Sequence, residues 1–168
     1  MMLEWALRYA SKGWAVFPTH SIMNGHCTCG KTDCSAPGKH PIHAGGFKNA
    51  TTDPVQIKFL FNQQKPVNIG IATGALSGIF VIDIDVGPKK NGLTAFRELE
   101  AKYGPANKEM LVQTGSGGLH IYRPTQGRAV PSSASKIGPN IDVRGEAGYV
   151  IAPPSLHISG NQYMWITE

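Results

Sequence analysis

The chain has 168 residues, 41% hydrophobic and 16% charged, which is enough apolar material for one core and too ordered a composition for a disordered polar chain. Its net charge of +5 suits a polyanionic partner without specifying one, and 20 glycines with 12 prolines call for many turns and long loops. No stretch reaches the apolar length of a membrane span. The start, Met-Met-Leu-Glu-Trp-Ala, lacks the basic region and apolar run of a signal peptide, so the expected location is the cytoplasm with no membrane partner.

Leu3, Ala6, Leu7 and Ala10 recur at helical spacing and predict a first helix ending near Gly13. Trp14 to Pro18 reads as a short buried strand. Residues 19–46 show no periodicity and hold all three cysteines and four of the six histidines, which marks a metal-stapled loop. An odd, clustered set of cysteines in a cytosolic chain favours metal over disulfides. Cys27, Cys29, Cys34 and His40 make a closed Cys₃His set for a structural, tetrahedral zinc. His26 and His43 are rival fourth ligands, and three reduced thiols in a loop is the plain alternative. Thr52-Asp53-Pro54 starts a second helix, with a capping side chain and proline in the first turn; Ile57, Leu60 and Phe61 supply its buried face.

Asn68 to Gly74 is a strand running into a glycine turn, and Gly78 to Asp85 is the strongest strand signal. A third helix follows, with Leu93, Phe96 and Tyr103 on one face, stopped by Gly104-Pro105. Residues 110–114, 119–123, 140–144, 149–151 and 163–166 read as short strands. A helix–strand first half and a mostly antiparallel second half predict an α+β or mixed α/β domain spanning residues 1–168. The abrupt end after a strand is what a piece cut from a longer protein would show.

Alternation in the strands brings the carboxylates together. Residues two apart in a strand share a face. Asp83 and Asp85 therefore point one way, and Phe80, Ile82 and Ile84 point the other way, into a core. Ile79 and Val81 share the aspartate face and are expected under a loop. The same test puts His120 and Tyr122 opposite Leu119 and Ile121, and Asp142 and Arg144 opposite Ile141 and Val143. One face thus presents Asp83, Asp85, His120, Asp142 and Arg144. Phosphoryl transfer uses two divalent ions about 3.5–4 Å apart, shared between carboxylates. Two or three aspartates suffice for Mg2+ or Mn2+, because magnesium keeps water and substrate phosphates as ligands. Taken alone, Asp83 and Asp85 equally suit a strand end in solvent or paired with Lys89, Lys90 or Arg144.

Gln113 to His120 joins two predicted strands through Gly115-Ser116-Gly117-Gly118. Its glycines allow close backbone approach, and exposed amides can cradle phosphate oxygens. Ser116 and His120 can donate to phosphate. Thr73 and Gly74 offer a second phosphate contact or a simple turn, and Arg144 either binds phosphate or pairs with Asp142. A glycine hairpin with a surface histidine is the bland reading of the same loop.

In order along the chain, Cys-x-Cys-x₄-Cys-x₅-His-Pro, Gly46 to Asp53, Gly70 to Gly74, Val81 to Asp85, Gly115 to His120, Ile141 to Gly145 and Tyr149 to Ser155 resemble the bifunctional primase–polymerase (prim-pol) family of the archaeo-eukaryotic primase superfamily. The resemblance implies an RRM-like antiparallel catalytic sheet with an N-terminal α/β module. It implies catalytic, metal-binding carboxylates at Asp83, Asp85 and Asp142, and triphosphate binding by Ser116 and His120, with Gly117 and Gly118 in the same loop. The implied activity is synthesis and extension of primers on a single-stranded DNA template from NTPs or dNTPs. The implied setting is plasmid, phage or mobile-element replication beside a helicase; this chain shows neither a helicase motif nor a P-loop. A metal-dependent nuclease and a non-catalytic nucleic-acid-binding module are the other readings of the same carboxylates.

Overall fold

The computed structural model describes residues 1–167. Among them, three α-helices pack with two antiparallel sheets and two short hairpins, a mixed α+β arrangement. The helices are α1 (Met2–Ser11), α2 (Pro54–Leu60) and α3 (Gly92–Tyr103). Asp53 caps α2 by accepting from the Val55 amide, as the Thr-Asp-Pro start predicts. The hairpins are β2 (Ile22–Met23) with β3 (His26–Cys27), and β6 (Val86–Gly87) with β7 (Lys90–Asn91).

The larger sheet has six strands in the order β10 (Ser133–Gly138), β11 (Ile141–Arg144), β5 (Ile79–Ile84), β9 (Leu119–Pro124), β8 (Leu111–Gln113) and β13 (Met164–Thr167). The smaller sheet has three, in the order β1 (Val16–His20), β4 (Val67–Ala72) and β12 (Tyr149–Ala152). Strand β12 comes from the second half of the chain yet completes the first-half sheet, so the two halves are interleaved.

Each face of the six-stranded sheet has its own cover. Helix α3 covers one, where Ile84, Ile121 and Ile141 pack with Ala95 and Phe96. Leu93 and Leu99 join them, but Tyr103, expected on this stripe, lies in the last turn and is 72% exposed. Over the other face lie α1, α2 and the small sheet, which bring Tyr9, Trp14, Ile69, Ile71 and Val150 against Ile79, Val81, Val112 and Tyr122. Ile79 and Val81 are therefore roofed by a second sheet rather than by the expected loop. The aspartate face is apolar and closed at one end and polar and open at the other.

No helix among the described residues is long and apolar enough to cross a membrane.

Candidate active site

The open end of the aspartate face is a cleft of about 480 Å³ between the two sheets. Asp83 and His120 lie on its floor, and strand register sets Asp142 beside Asp83, outside the lining itself. Asp142 on β11 pairs with Asp83 on β5, and Asp83 pairs with His120 on β9, so three polar residues form one row across three strands. Asp85 is the next residue on that face and also lines the cleft, as do Ser116, Arg144 and the buried Tyr163.

Two carboxylates directly opposed on neighbouring strands repel, and here protein cations offset that cost. Nη2 of Arg144 lies 2.9 Å from Asp142 Oδ2 and 3.3 Å from Asp83 Oδ2, bridging the pair. Asp83 Oδ1 lies 3.4 Å from His120 Nε2. Lys90 on the β6–β7 hairpin donates to Asp85, and the Ser135 amide on β10 donates to Asp142. Burial alone would raise the Asp83 pKa, but the His120 hydrogen bond and charge and then Arg144 outweigh it and bring it to about 2. The salt-bridged strand end considered from sequence is thus a real feature of the site. Nδ1 of His120 is buried with no hydrogen-bond partner among the described residues. Tyr163 packs against His120, its ring centre 5.8 Å away; burial, then the charges of Asp83 and Asp85, raise its pKa and keep the phenol protonated.

The glycine loop divides the work among its residues. Ser116 is exposed in the cleft and its hydroxyl is 3.0 Å from that of Thr114. Gly117 has φ +89° and makes the turn. Gly115 and Gly118 are required by packing: a Cβ would collide with the His157 side chain at the first and with the Ile84 carbonyl at the second. Gly117 and Gly118 themselves do not line the cleft. Thr73 and Gly74 stand outside it as well. The Thr73 hydroxyl donates to the Gly145 carbonyl at 2.7 Å and its amide to Gly148, while the Gly74 amide donates to Ile79. They brace the loop that follows Arg144.

The cysteine loop forms another wall of the same cleft through Ala36 and Lys39. The ligand atoms of Cys27, Cys29, Cys34 and His40 all lie within 4.8 Å of one another, and Nε2 of His40 is 3.5 Å from both Cys27 and Cys34 Sγ. The Lys31 amide holds the Cys29 thiol down to about 6, favouring thiolate. These four residues can hold a metal ion. His26 is exposed outside the cluster, and His43 faces Gln63, so His40 is the histidine that completes the group.

Sequence reasoning missed Asn68, fully buried on β4. Its amide donates to the carbonyls of Gly38 and Leu156 and accepts from the Ser21 hydroxyl and the Leu156 amide, at 2.8–2.9 Å. It ties the cysteine loop to the small sheet and to the segment after β12. Only its place in a strand expected to be buried could have flagged it. No curated protein matches the chain. The model for bifunctional DNA primase/polymerase, N-terminal, matches residues 6–168, which takes in the carboxylate row, the glycine loop and the cysteine loop together, and the chain belongs to that family.

Proposed function

We propose that this domain is a template-directed nucleotidyl transferase that makes and extends primers on single-stranded DNA. The observation that carries this reading is that Asp83, Asp85 and His120 line a cleft rimmed by Ser116, with Asp142 in register beside Asp83, in a chain of the primase/polymerase family.

The carboxylates suit hard, oxygen-seeking ions such as Mg2+ or Mn2+: Asp83, Asp85 and Asp142 offer only oxygen and leave positions for water and phosphate. Bound there, divalent ions would supply charge neutralisation for the attacking and leaving oxygens. The chain's own groups do the rest. Ser116 and Arg144 hold the triphosphate; Arg144 is already in the cleft and exchanges carboxylate for phosphate as its partner. His120, pinned beneath by Tyr163, orients Asp83 and lies beside the phosphates. The primer 3′-oxygen bonds to the α-phosphorus, the α–β phosphoanhydride bond breaks, pyrophosphate leaves with the electron pair, and the hydroxyl proton passes to water. The basic surface holds template backbone without reading its sequence.

The Cys₃His cluster suits zinc in a structural role. The domain acts as one unit within a cytoplasmic replication system encoded by a plasmid or phage, beside a helicase.

A primed single-stranded template with Mn2+ or Mg2+ and nucleotides tests the reading. Extension is expected, and Asp83→Ala with Asp85→Ala should lower it by about 10³-fold or more. Degradation of the template would identify a nuclease, and binding without turnover a non-catalytic module. Full extension by the double variant would remove the site assignment.

A further inference from the structure

The cleft contains three cationic side chains, and they are not equivalent. Lys90 is committed to Asp85, and Arg144 to Asp83 and Asp142. Lys39 is exposed at the cleft wall, and its ammonium has neither an ion pair nor a hydrogen bond among the described residues. Its backbone is nevertheless fixed. The Lys39 amide donates to the Ala36 carbonyl at 3.1 Å, and its carbonyl accepts from the Tyr149 hydroxyl at 3.2 Å. The residue before it is held by Asn68 through the Gly38 carbonyl, and the residue after it is the ligand His40. A flexible cation on a rigid base, facing a cleft, is built for an anion that comes and goes. Ser116, on the glycine loop, lines the same cleft as Lys39.

We infer that Lys39 is a substrate-binding residue whose ammonium takes a phosphate of the incoming nucleoside triphosphate opposite Ser116, and that the metal-holding loop sets its position. This rests on the nucleotidyl-transfer reading above. It makes the cysteine loop part of the nucleotide site rather than a remote staple. A triphosphate fits better than template backbone, because the wall faces inward onto the carboxylates that a nucleotide must reach.

Calorimetric titration of ATP and dATP with Mn2+ and no DNA tests it. Lys39→Ala should weaken nucleotide binding by about tenfold or more, and Lys39→Arg should keep most of the affinity. Metal content and melting temperature should not change, because the ammonium has no bonding partner among the described residues. In extension assays KM for nucleotide should rise while kcat holds. Cys34→Ser should lose zinc and show the same nucleotide defect, and adding Lys39→Ala to it should cost little more. Anisotropy with a single-stranded oligonucleotide and no nucleotide separates the two phosphate sources. A loss confined to oligonucleotide binding would overturn the triphosphate assignment in favour of backbone phosphate. Equal nucleotide affinity in wild type and Lys39→Ala would overturn the inference and leave the parent reading standing. A wild type that binds no nucleotide would overturn both.

Discussion

The cysteine loop and the aspartate strands border one cleft and follow opposite plans. In the cysteine loop four donors converge within 4.8 Å of one another, and His40 stands 3.5 Å from two sulfurs. Zinc bonds of about 2.3 Å to sulfur and 2.0 Å to nitrogen imply donor–donor edges of about 3.5–3.8 Å in a tetrahedron, so the loop is already near the shape of a closed site. The three aspartates do not converge in this way; Arg144 lies between two of them and Lys90 holds the third. Soft, closed donor sets suit an ion that stays. Hard, open carboxylates suit ions that exchange, and here the cations beside them offset their repulsion within the sheet.

The sharpest way to break this contrast is to compare the two affinities. Purified reduced protein dialysed briefly against EDTA should keep one zinc per chain and lose Mn2+ entirely, a difference of about 10⁴-fold or more in affinity. Cys34→Ser should abolish the retained zinc and leave Mn2+ binding measurable. Retained zinc in that variant would show that the cluster is not the site. Asn68→Ala comes next. It removes the partner of the part-buried Leu156 carbonyl and amide, leaves the Gly38 carbonyl only the Thr19 hydroxyl at 3.5 Å, and should cost about 3 kcal/mol. Thermal unfolding should show a fall of about 6–12 °C. Zinc should leave the variant more easily, since Gly38 lies two residues from His40. A melting point unchanged by the substitution would separate the cysteine loop from the small sheet energetically.

Much of the site can be read before the fold, because strand alternation is a local property. Asp83, His120 and Asp142 share a face by period two alone, and antiparallel register then puts them in one row. The cysteine loop is legible from composition and spacing. What alternation cannot convey is what covers a face. Val81 and Tyr122 share the aspartate side yet are buried, because β12 returns from the second half to build a roof with β1 and β4. That pairing is long-range and leaves no periodic trace. Strand β10 escapes a reading of the sequence because Ser133-Ala-Ser-Lys-Ile-Gly is polar, exposed and at the sheet edge, although its Ser135 amide steadies Asp142. Thr73-Gly74 and the glycine loop show the converse limit. Glycine next to hydroxyl reads the same whether it approaches a phosphate or, as at Gly118, a neighbouring carbonyl.

The smallest effect tests the cation-filled side of the contrast directly, through pH. Asp83 titrates at about 2 in the fold against an ordinary value of 3.8, with the His120 and Arg144 contacts overcoming the cost of burial. A depressed carboxylate pKa stabilises the fold above the unfolded value and loses that contribution as pH falls through the folded one. The shift corresponds to about 2 kcal/mol, fully present above pH of about 4 and gone below about 2. Acid also strips metal from the cysteine loop, because its ligands must be deprotonated to bind. The wild-type curve alone therefore mixes two losses. The difference between wild type and Asp83→Asn removes the shared one. In urea unfolding of metal-free protein, Asp83→Asn should be less stable than wild type by about 2 kcal/mol near pH of about 6, with the gap closing between about pH 4 and 2. A gap that stays constant across that range would mean that the Asp83 carboxylate gains nothing from His120 and Arg144.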